Sequence, residues 1–347
     1  MYIIFQIDGG MGKSVAATAV CKAIKTKYPQ ATLIVITGYP DVFACNPYVY
    51  KALNTSNLQY FYQDYIRDQK DVLIFAHNPY VSTPFIREEG HLIKVWCELF
   101  DVPYNGELPE IFMSNVELNR HALTMQTPKP MMVIQTNGGS VEHGLYSWMR
   151  DLPQSIAQEV VNAFCNDYTI VHLRLKEQLA LQNTHPVQAS NFRMLVALIA
   201  LSSKRLFIDS FAQHTAAAIG RPSVVCWIGN KPTQFGYEMH ANIVAGPPTR
   251  QPDLKYAVYS PYGIAGQNPM ESCYNFDKDI FNPEVIIDVL RKYPEAFLAQ
   301  QQAQAAPIAN TESTNTLEVL TEAPIASNNE EVDAQNTAKK TTSRKTN

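Results

Sequence analysis

The sequence predicts an α/β chain of two parallel-sheet domains facing each other across a cleft, followed by a disordered tail. Three observations predict this. From the first residues onward, short apolar runs alternate with segments of helical period, the rhythm of βαβ units whose parallel sheet is covered on both faces. That rhythm breaks once, at Thr124-Met-Gln-Thr-Pro128-Lys-Pro130, where two prolines favour extended chain and suit an interdomain linker. A second α/β series then leads to a run, residues 206–230, in which an apolar stretch ends in Asp209-Ser210 and a small-residue helix follows. After Gly220-Arg221-Pro222 a second apolar stretch ends in Gly229-Asn230. Ligands of open α/β sheets bind just outside the carboxyl ends of the strands, and a small-residue helix can approach closely enough for its N-terminal amides to reach an anion. The pattern points to a phosphorylated small molecule.

Taken in order, Tyr2–Ile7 reads as a buried strand, and residues 13–27 repeat apolar side chains at helical spacing (Val15, Ala16, Ala19, Val20, Ala23, Ile24). Strands are expected at residues 32–37 and, after the aromatic run 60–66, at 72–76. A helix over 90–100, a short strand at Ile111-Phe112 and a helix over 115–123 complete a first domain spanning 1–127. The second, 128–297, opens with a strand at 131–135 and continues through a helix at 154–166, a strand at 169–173, a helix at 191–201, the 206–230 unit and a helix at 283–293. Both domains are Rossmann-like. Beyond residue 297 aromatic residues vanish and Ala, Gln, Asn, Thr, Glu and Ser dominate; such a tail cannot bury enough apolar surface to offset its ordering entropy.

Composition narrows the function. With 46% hydrophobic and 17% charged residues the chain is globular, and a net charge of -4 excludes a general nucleic-acid binder, which needs a strongly basic face. The pairs Lys204-Arg205 and Lys339-Lys340 read as solvated surface. Six cysteines without Cys-x-x-Cys spacing favour reduced, buried thiols and a cytoplasmic setting over disulfides or a zinc site. The opening residues lack the features of a signal peptide, and no apolar run reaches bilayer-spanning length.

Asp8-Gly9-Gly10-Met11-Gly12-Lys13-Ser14, between strand and helix, resembles a triphosphate-binding P-loop. The full pattern G-x-x-x-x-G-K-[ST] would need glycine where Ile7 stands. In the K-G-G-x-G-K-[ST] variant the first lysine is here Asp8, whose charge would repel a triphosphate. Three readings remain open: a degenerate P-loop of an ATPase, a glycine turn letting an acceptor or phosphate reach the backbone, and a plain tight turn.

Beside these motifs the chain resembles glycosyltransferase family 9, the heptosyltransferase-like enzymes of the GT-B fold. Their donor motif runs roughly D-[ST]-G-x-x-H-x-x-A-A-x-x-x-P, met here by Asp209, Ser210, His214, Ala217, Ala218 and Pro222, with Phe211 in place of the glycine. The glycine turn at Gly10 and Gly12, the Thr136-Asn137-Gly138-Gly139 loop, Trp148 and Leu152-Pro153 match the family's order over about residues 1–295. The resemblance implies inverting transfer of a sugar, heptose by family default, from a nucleoside diphosphate to a hydroxyl, with no cofactor and no obligatory metal. The acceptor would be a glycan, lipopolysaccharide-like or other hydroxyl compound, and peripheral membrane contact fits that class. Ser210, the amides after Asp209, Thr136, Asn137, Gly138 and Asn230 would line the donor's phosphates, and Asp209 would accept hydrogen bonds from loop amides. His214 would either donate to a phosphate or sugar oxygen or cap the domain interface. Tyr60, Tyr62, Tyr65 and Tyr80 are candidates to stack on acceptor sugar rings.

Two departures matter. The family's acceptor-activating carboxylate follows the glycine turn, where this chain has Lys13, and a protonated lysine cannot take a proton. Asp8 is the preferred substitute, although it can equally cap the turn, and His77 is the reserve because an imidazole titrates near neutrality. The family's phosphate-binding lysine before the tryptophan is replaced by Tyr146, leaving Arg150, Lys13 or Arg174 to supply positive charge. These losses also keep open a catalytically degenerate fold that only binds nucleotide sugars or glycans.

Overall fold

Ten strands among the described residues form two all-parallel sheets, as the βαβ rhythm requires. The structure, a computed structural model, describes residues 1–125, 127–138, 146–188, 191–251 and 272–294. The expected disordered tail, Gly139 and Lys339-Lys340 therefore lie outside the described residues.

The first sheet has the order β3-β2-β1-β4, from β1 (Tyr2–Ile7), β2 (Thr32–Thr37), β3 (Lys51–Asn54) and β4 (Val72–Phe75). Strand register runs Ile3 to Leu33 and Phe5 to Val35 on one side of β1, and Phe5 to Phe75 on the other. Alternate residues of a strand face opposite sides of its sheet. Ile3, Phe5 and Ile7 accordingly enter the main core, whereas Ile4, Ile34 and Ile36 form a smaller cluster beneath Phe61, Tyr65 and Ile66. Tyr65 and Ile66 of this cover belong to a π-helical turn, Gln63–Arg67.

The second sheet has the order β10-β9-β8-β5-β6-β7. Its strands are β5 (Met131–Ile134), β6 (Thr169–Leu173), β7 (His185–Val187), β8 (Lys204–Ile208), β9 (Val224–Trp227) and β10 (Ala241–Val244). Helices α5 (Gln154–Phe164) and α10 (Pro283–Lys292) cover one face, and α6 (Phe192–Leu201) and α7 (Phe211–Ala218) lie towards the other. No helix of the described residues is long and apolar enough to cross a membrane. All six cysteines are free thiols, four of them buried.

One core joins the two halves. Helix α1 (Met11–Lys27) is buried almost all round because it is sandwiched between its own sheet, α3 (Leu92–Leu99) and α7 of the other half. Its small residues Ala16, Ala17 and Ala19 share this core with Ala212, Ala216 and Ala217 of α7. Interaxial distance depends on side-chain size at the contact, so the alanines of the 206–230 unit serve helix-to-helix packing between the halves. This corrects the expectation that they open the helix start to an anion.

Two further expectations change. Ile111-Phe112 is not a strand: the Ile111 N–H donates to the Ala218 carbonyl at the end of α7, 3.3 Å away. From there the chain continues into α4 (Asn115–Thr124), where Arg193 of α6 grips Glu117 through Nε and Nη2 at 2.8 and 2.7 Å. Lys204 and Arg205 are buried, not solvated. The Arg205 guanidinium donates to the Pro222 carbonyl at 2.8 Å and to Ser202, and Lys204 Nζ reaches the Tyr293 carbonyl at 3.1 Å. Both follow the α6–β8 turn, where unpaired carbonyls at a helix end attract cations.

Candidate active site

The candidate residues gather at the carboxyl edges of both sheets, where ligands of such sheets bind. In the first half, β1 delivers Asp8 and β4 leads to His77 and Asn78. Gly10 is the N-cap of α1, is open above, and leaves the helix start without a side-chain cap. Lys13, in the first turn, has only 3% of its side chain exposed, while its partner Asp8 has 62%. Its Nζ bonds to Asp8 Oδ1 and, at 2.9 Å, to Asn78 Oδ1. The same ammonium lies 4.9 Å from the Tyr80 ring centre and 5.4 Å from that of Trp96. Burial pulls its pKa down, and the hydrogen bond and charge of Asp8 oppose that fall.

A P-loop lysine reaches up to the β- and γ-phosphates. Lys13 instead lies under the turn, so neither the ATPase reading nor a free phosphate-binding Lys13 matches its placement. Asp8 Oδ2 has no partner among the described residues. His77 is exposed and makes no hydrogen bond to them.

In the second half four loop ends converge. Gly229 N–H bonds to the Met149 carbonyl at 2.7 Å, and Leu152 N–H to the Thr136 carbonyl at 2.9 Å. Asp151, almost fully buried, accepts from the Gly138 N–H and Ser147 N–H at 2.9 Å and from Asn137 Nδ2 at 3.1 Å. Burial raises its pKa, and these hydrogen bonds and Arg150 oppose the rise. Thr136 Oγ1 donates to Asn137 Oδ1 and lies 2.9 Å from His172 Nε2. Ser210 Oγ accepts from Gln135 Nε2 at 3.1 Å, and Asp209 accepts from Asn230 Nδ2. Burial pushes the Asp209 carboxyl up, against the Asn230 bond and the Arg150 charge.

The Arg150 guanidinium lies across Gly138, where a Cβ would come within 2.7 Å of Nε. It makes no hydrogen bond among the described residues, and its buried Nε lies 3.9 Å from Asp151 Oδ1 in an ion pair. The charges of Asp209, Asp8 and Arg150 all bear on the Tyr80 hydroxyl, whose pKa is raised first by burial. The candidate base follows the carboxyl end of β1, and the candidate cation lies over Gly138, beyond the carboxyl end of β5. Arg174 does not join them: its Nη1 donates to the carbonyls of Leu175, Lys176 and Gln178 and so organises its own loop.

His214 is the interface residue of its two alternatives. The Gln213 side chain, fixed by a 3.1 Å bond to the Phe235 carbonyl, donates to His214 Nε2, leaving the proton on Nδ1 for the Tyr237 hydroxyl at 2.8 Å. Burial, with His91 and His240 beside it, brings its pKa down to about 3. Across the interface, a Cβ on Gly12 would meet His214 Cδ2 at 3.0 Å and the Phe211 backbone at 3.3 Å. The first amide of α7 is therefore covered by the glycine turn, not open to a phosphate. Gly12→Val should lower stability by about 1–3 kcal/mol through overpacking, read as a lower Tm; an unchanged Tm would show that the halves do not meet there.

Asp151, Gln135, Asn78 and Trp96 were not singled out from the sequence. Asp151 had one usable signal, a carboxylate beside Arg150 after a tryptophan. Asn78 and Trp96 act through long-range contacts that no local pattern encodes. Of the four tyrosines, Tyr80 packs on Phe85 and the Lys13 ammonium, Tyr65 packs on Tyr2 and Phe61, and Tyr60 and Tyr62 are exposed.

No protein-family model matches the chain, and no curated protein matches it. Solved structures do. It is similar to E. coli ADP-heptose lps heptosyltransferase II, with 15% identity and a TM-score of 0.62, covering 87% of this chain and all of that one. It is similar to a glycosyl transferase family 9 protein of Veillonella parvula, with 13% identity and a TM-score of 0.55 over 70% of this chain and 85% of that one. A third, the iron-containing dodecameric glycosyltransferase TibC of enterotoxigenic E. coli, gives 9% identity and a TM-score of 0.54 over 87% and 76%. The chain is heptosyltransferase-like in fold: two parallel α/β halves facing each other across a cleft, the GT-B arrangement.

Proposed function

We propose that this protein is an inverting glycosyltransferase that moves a sugar from a nucleoside diphosphate, held by the second half, to an acceptor hydroxyl bound against the first. The observation that carries the reading is Arg150: a guanidinium without a protein hydrogen bond, laid over Gly138 at the carboxyl edge of the second sheet. A leaving diphosphate needs positive charge in place before the bond breaks. Arg150 meets that need from protein groups alone, so the reading keeps transfer without an obligatory metal. Thr136, Asn137, Gly138, Ser210 and Asn230 would line the donor, with the 135–138 loop kept in shape by Asp151. Asp8 would take the acceptor proton as the hydroxyl attacks in line, through an oxocarbenium-like transition state.

Exposed Tyr60 and Tyr62 would offer ring faces to a glycan or lipopolysaccharide-like acceptor. A heptose donor belongs to the same proposal, supported by the likeness to heptosyltransferase II, and so does a cytoplasmic site of action, for which the reduced cysteines speak. Arg150→Ala should weaken ADP or UDP binding by about 10- to 100-fold, the loss of one or two charge-assisted hydrogen bonds, measured by calorimetry. Unchanged affinity would remove Arg150 from the donor site.

A further inference from the structure

The lysine standing where the family has its carboxylate is buried beneath another carboxylate. Two features of the pair are unequal. The ammonium is inside and the carboxylate outside, at 3% and 62% side-chain exposure. The ammonium is also fixed by rigid partners: Asn78 Oδ1 accepts from it and from the Tyr80 N–H at 3.1 Å, Tyr80 stacks on Phe85 with centres 5.1 Å apart, and Trp96 packs edge-on against Phe5 at 5.3 Å. Asp8, by contrast, is followed by two glycines and has no other hydrogen bond among the described residues.

Stability does not account for this arrangement. Taking an ammonium out of water costs more than a largely exposed ion pair returns, and an apolar chain of similar length would fill the space between Tyr80 and Trp96. Phosphate binding does not account for it either, since Nζ points under the turn to Asn78. We propose that Lys13 is a positioning residue: its buried ammonium pins the carboxylate of Asp8 at the mouth of the cleft and leaves Oδ2 free for the acceptor hydroxyl. The inference rests on the transferase reading, in which Asp8 takes that proton. A base on a glycine-rich turn samples many orientations, and fixing one of them is worth large factors in rate. Lys13 thus supplies from below what the family's own arrangement at this position lacks here.

The test is Lys13→Met in the full chain, with Lys13→Gln as a second variant should the first not fold. The expected result is a Tm equal to or above that of the wild type and an ADP or UDP affinity changed less than about twofold, with turnover of a nucleotide sugar reduced about 10- to 100-fold. The Asp8 side chain, followed by 13C NMR relaxation, should be more mobile in the variant than in the wild type. Diphosphate affinity weakened tenfold or more would make Lys13 a phosphate ligand and overturn the proposal. Unchanged mobility of the Asp8 side chain would overturn it as well. If the wild type turns over no nucleotide sugar, the transferase reading fails on its own, and the NMR relaxation of the two proteins still decides whether Lys13 holds Asp8.

Discussion

Asp8→Asn lowers turnover by about 100- to 10,000-fold, the range that a positioned proton acceptor contributes, while nucleoside diphosphate affinity stays within a few-fold. The split follows from placement. Asp8 lies at the end of β1, whereas the groups that would hold the donor come from β5, β8 and β9 of the other sheet. Asparagine keeps an oxygen for Lys13 Nζ, so the buried ammonium retains an acceptor and the fold survives. His77→Gln is the matched control, because His77 follows the neighbouring strand β4, is exposed and makes no hydrogen bond among the described residues. Loss of turnover in His77→Gln with full activity in Asp8→Asn would move the base from one strand to the other.

Acidification from pH 7 to 5 destabilises the fold by several kcal/mol. Burial, with Arg174 nearby, holds His172 at about 4; burial and the charges of His91 and His240 hold His214 at about 3. Burial, opposed by the bond to the Gln213 carbonyl and helped by Arg205, holds His240 at about 4, and burial lowers His91 too. Each folded pKa lies below the unfolded value of about 6.5. Between the two values the unfolded chain binds more protons, so stability rises with pH and is lost as pH falls. His172, His214 and His240 each withdraw about 2 kcal/mol between pH 6.5 and 5, and His91 acts in the same direction. Asp151 and Asp209 work the other way, because their raised carboxyls are relieved by protonation. Two carboxylates already hydrogen-bonded in their charged form offset only part of the demand of four histidines. Urea unfolding at a series of pH values checks this: His214→Gln should flatten the slope, and a wild type equally stable at pH 5 and pH 7 would contradict the account.

Much of the architecture was legible because its signals are local. The strands β1, β2, β5, β6 and β8 are apolar runs with polar ends, and α1, α6 and α10 have clear periodicity or caps. The edge strand β3 (Lys-Ala-Leu-Asn) has no such run and exists because β2 offers it a ladder, Ile34 to Lys51 through Thr37 to Asn54. The site was legible as a set of loop ends at the strands' carboxyl edges. What the sequence concealed was direction. Lys13, Arg174 and His214 look like open donors in a motif, yet Asn78 and two aromatic rings, three loop carbonyls, and Gln213 with Tyr237 engage them. Those partners are set by packing between distant segments, as is the burial of Lys204 and Arg205. Asp151 was missed for the same reason: its role lies in three hydrogen bonds made by a folded loop.

The most direct test of the account is release of nucleoside diphosphate from a panel of ADP-, UDP- and GDP-sugars, with simple glycosides as hydroxyl acceptors, compared in the wild type, Asp8→Asn and Arg150→Ala. The account predicts that at least one donor yields diphosphate and a glycoside of inverted anomeric configuration, with turnover lost in Asp8→Asn and donor affinity lost in Arg150→Ala. It is contradicted if the panel is neither bound nor turned over while ATP is hydrolysed in a manner that Lys13→Ala abolishes.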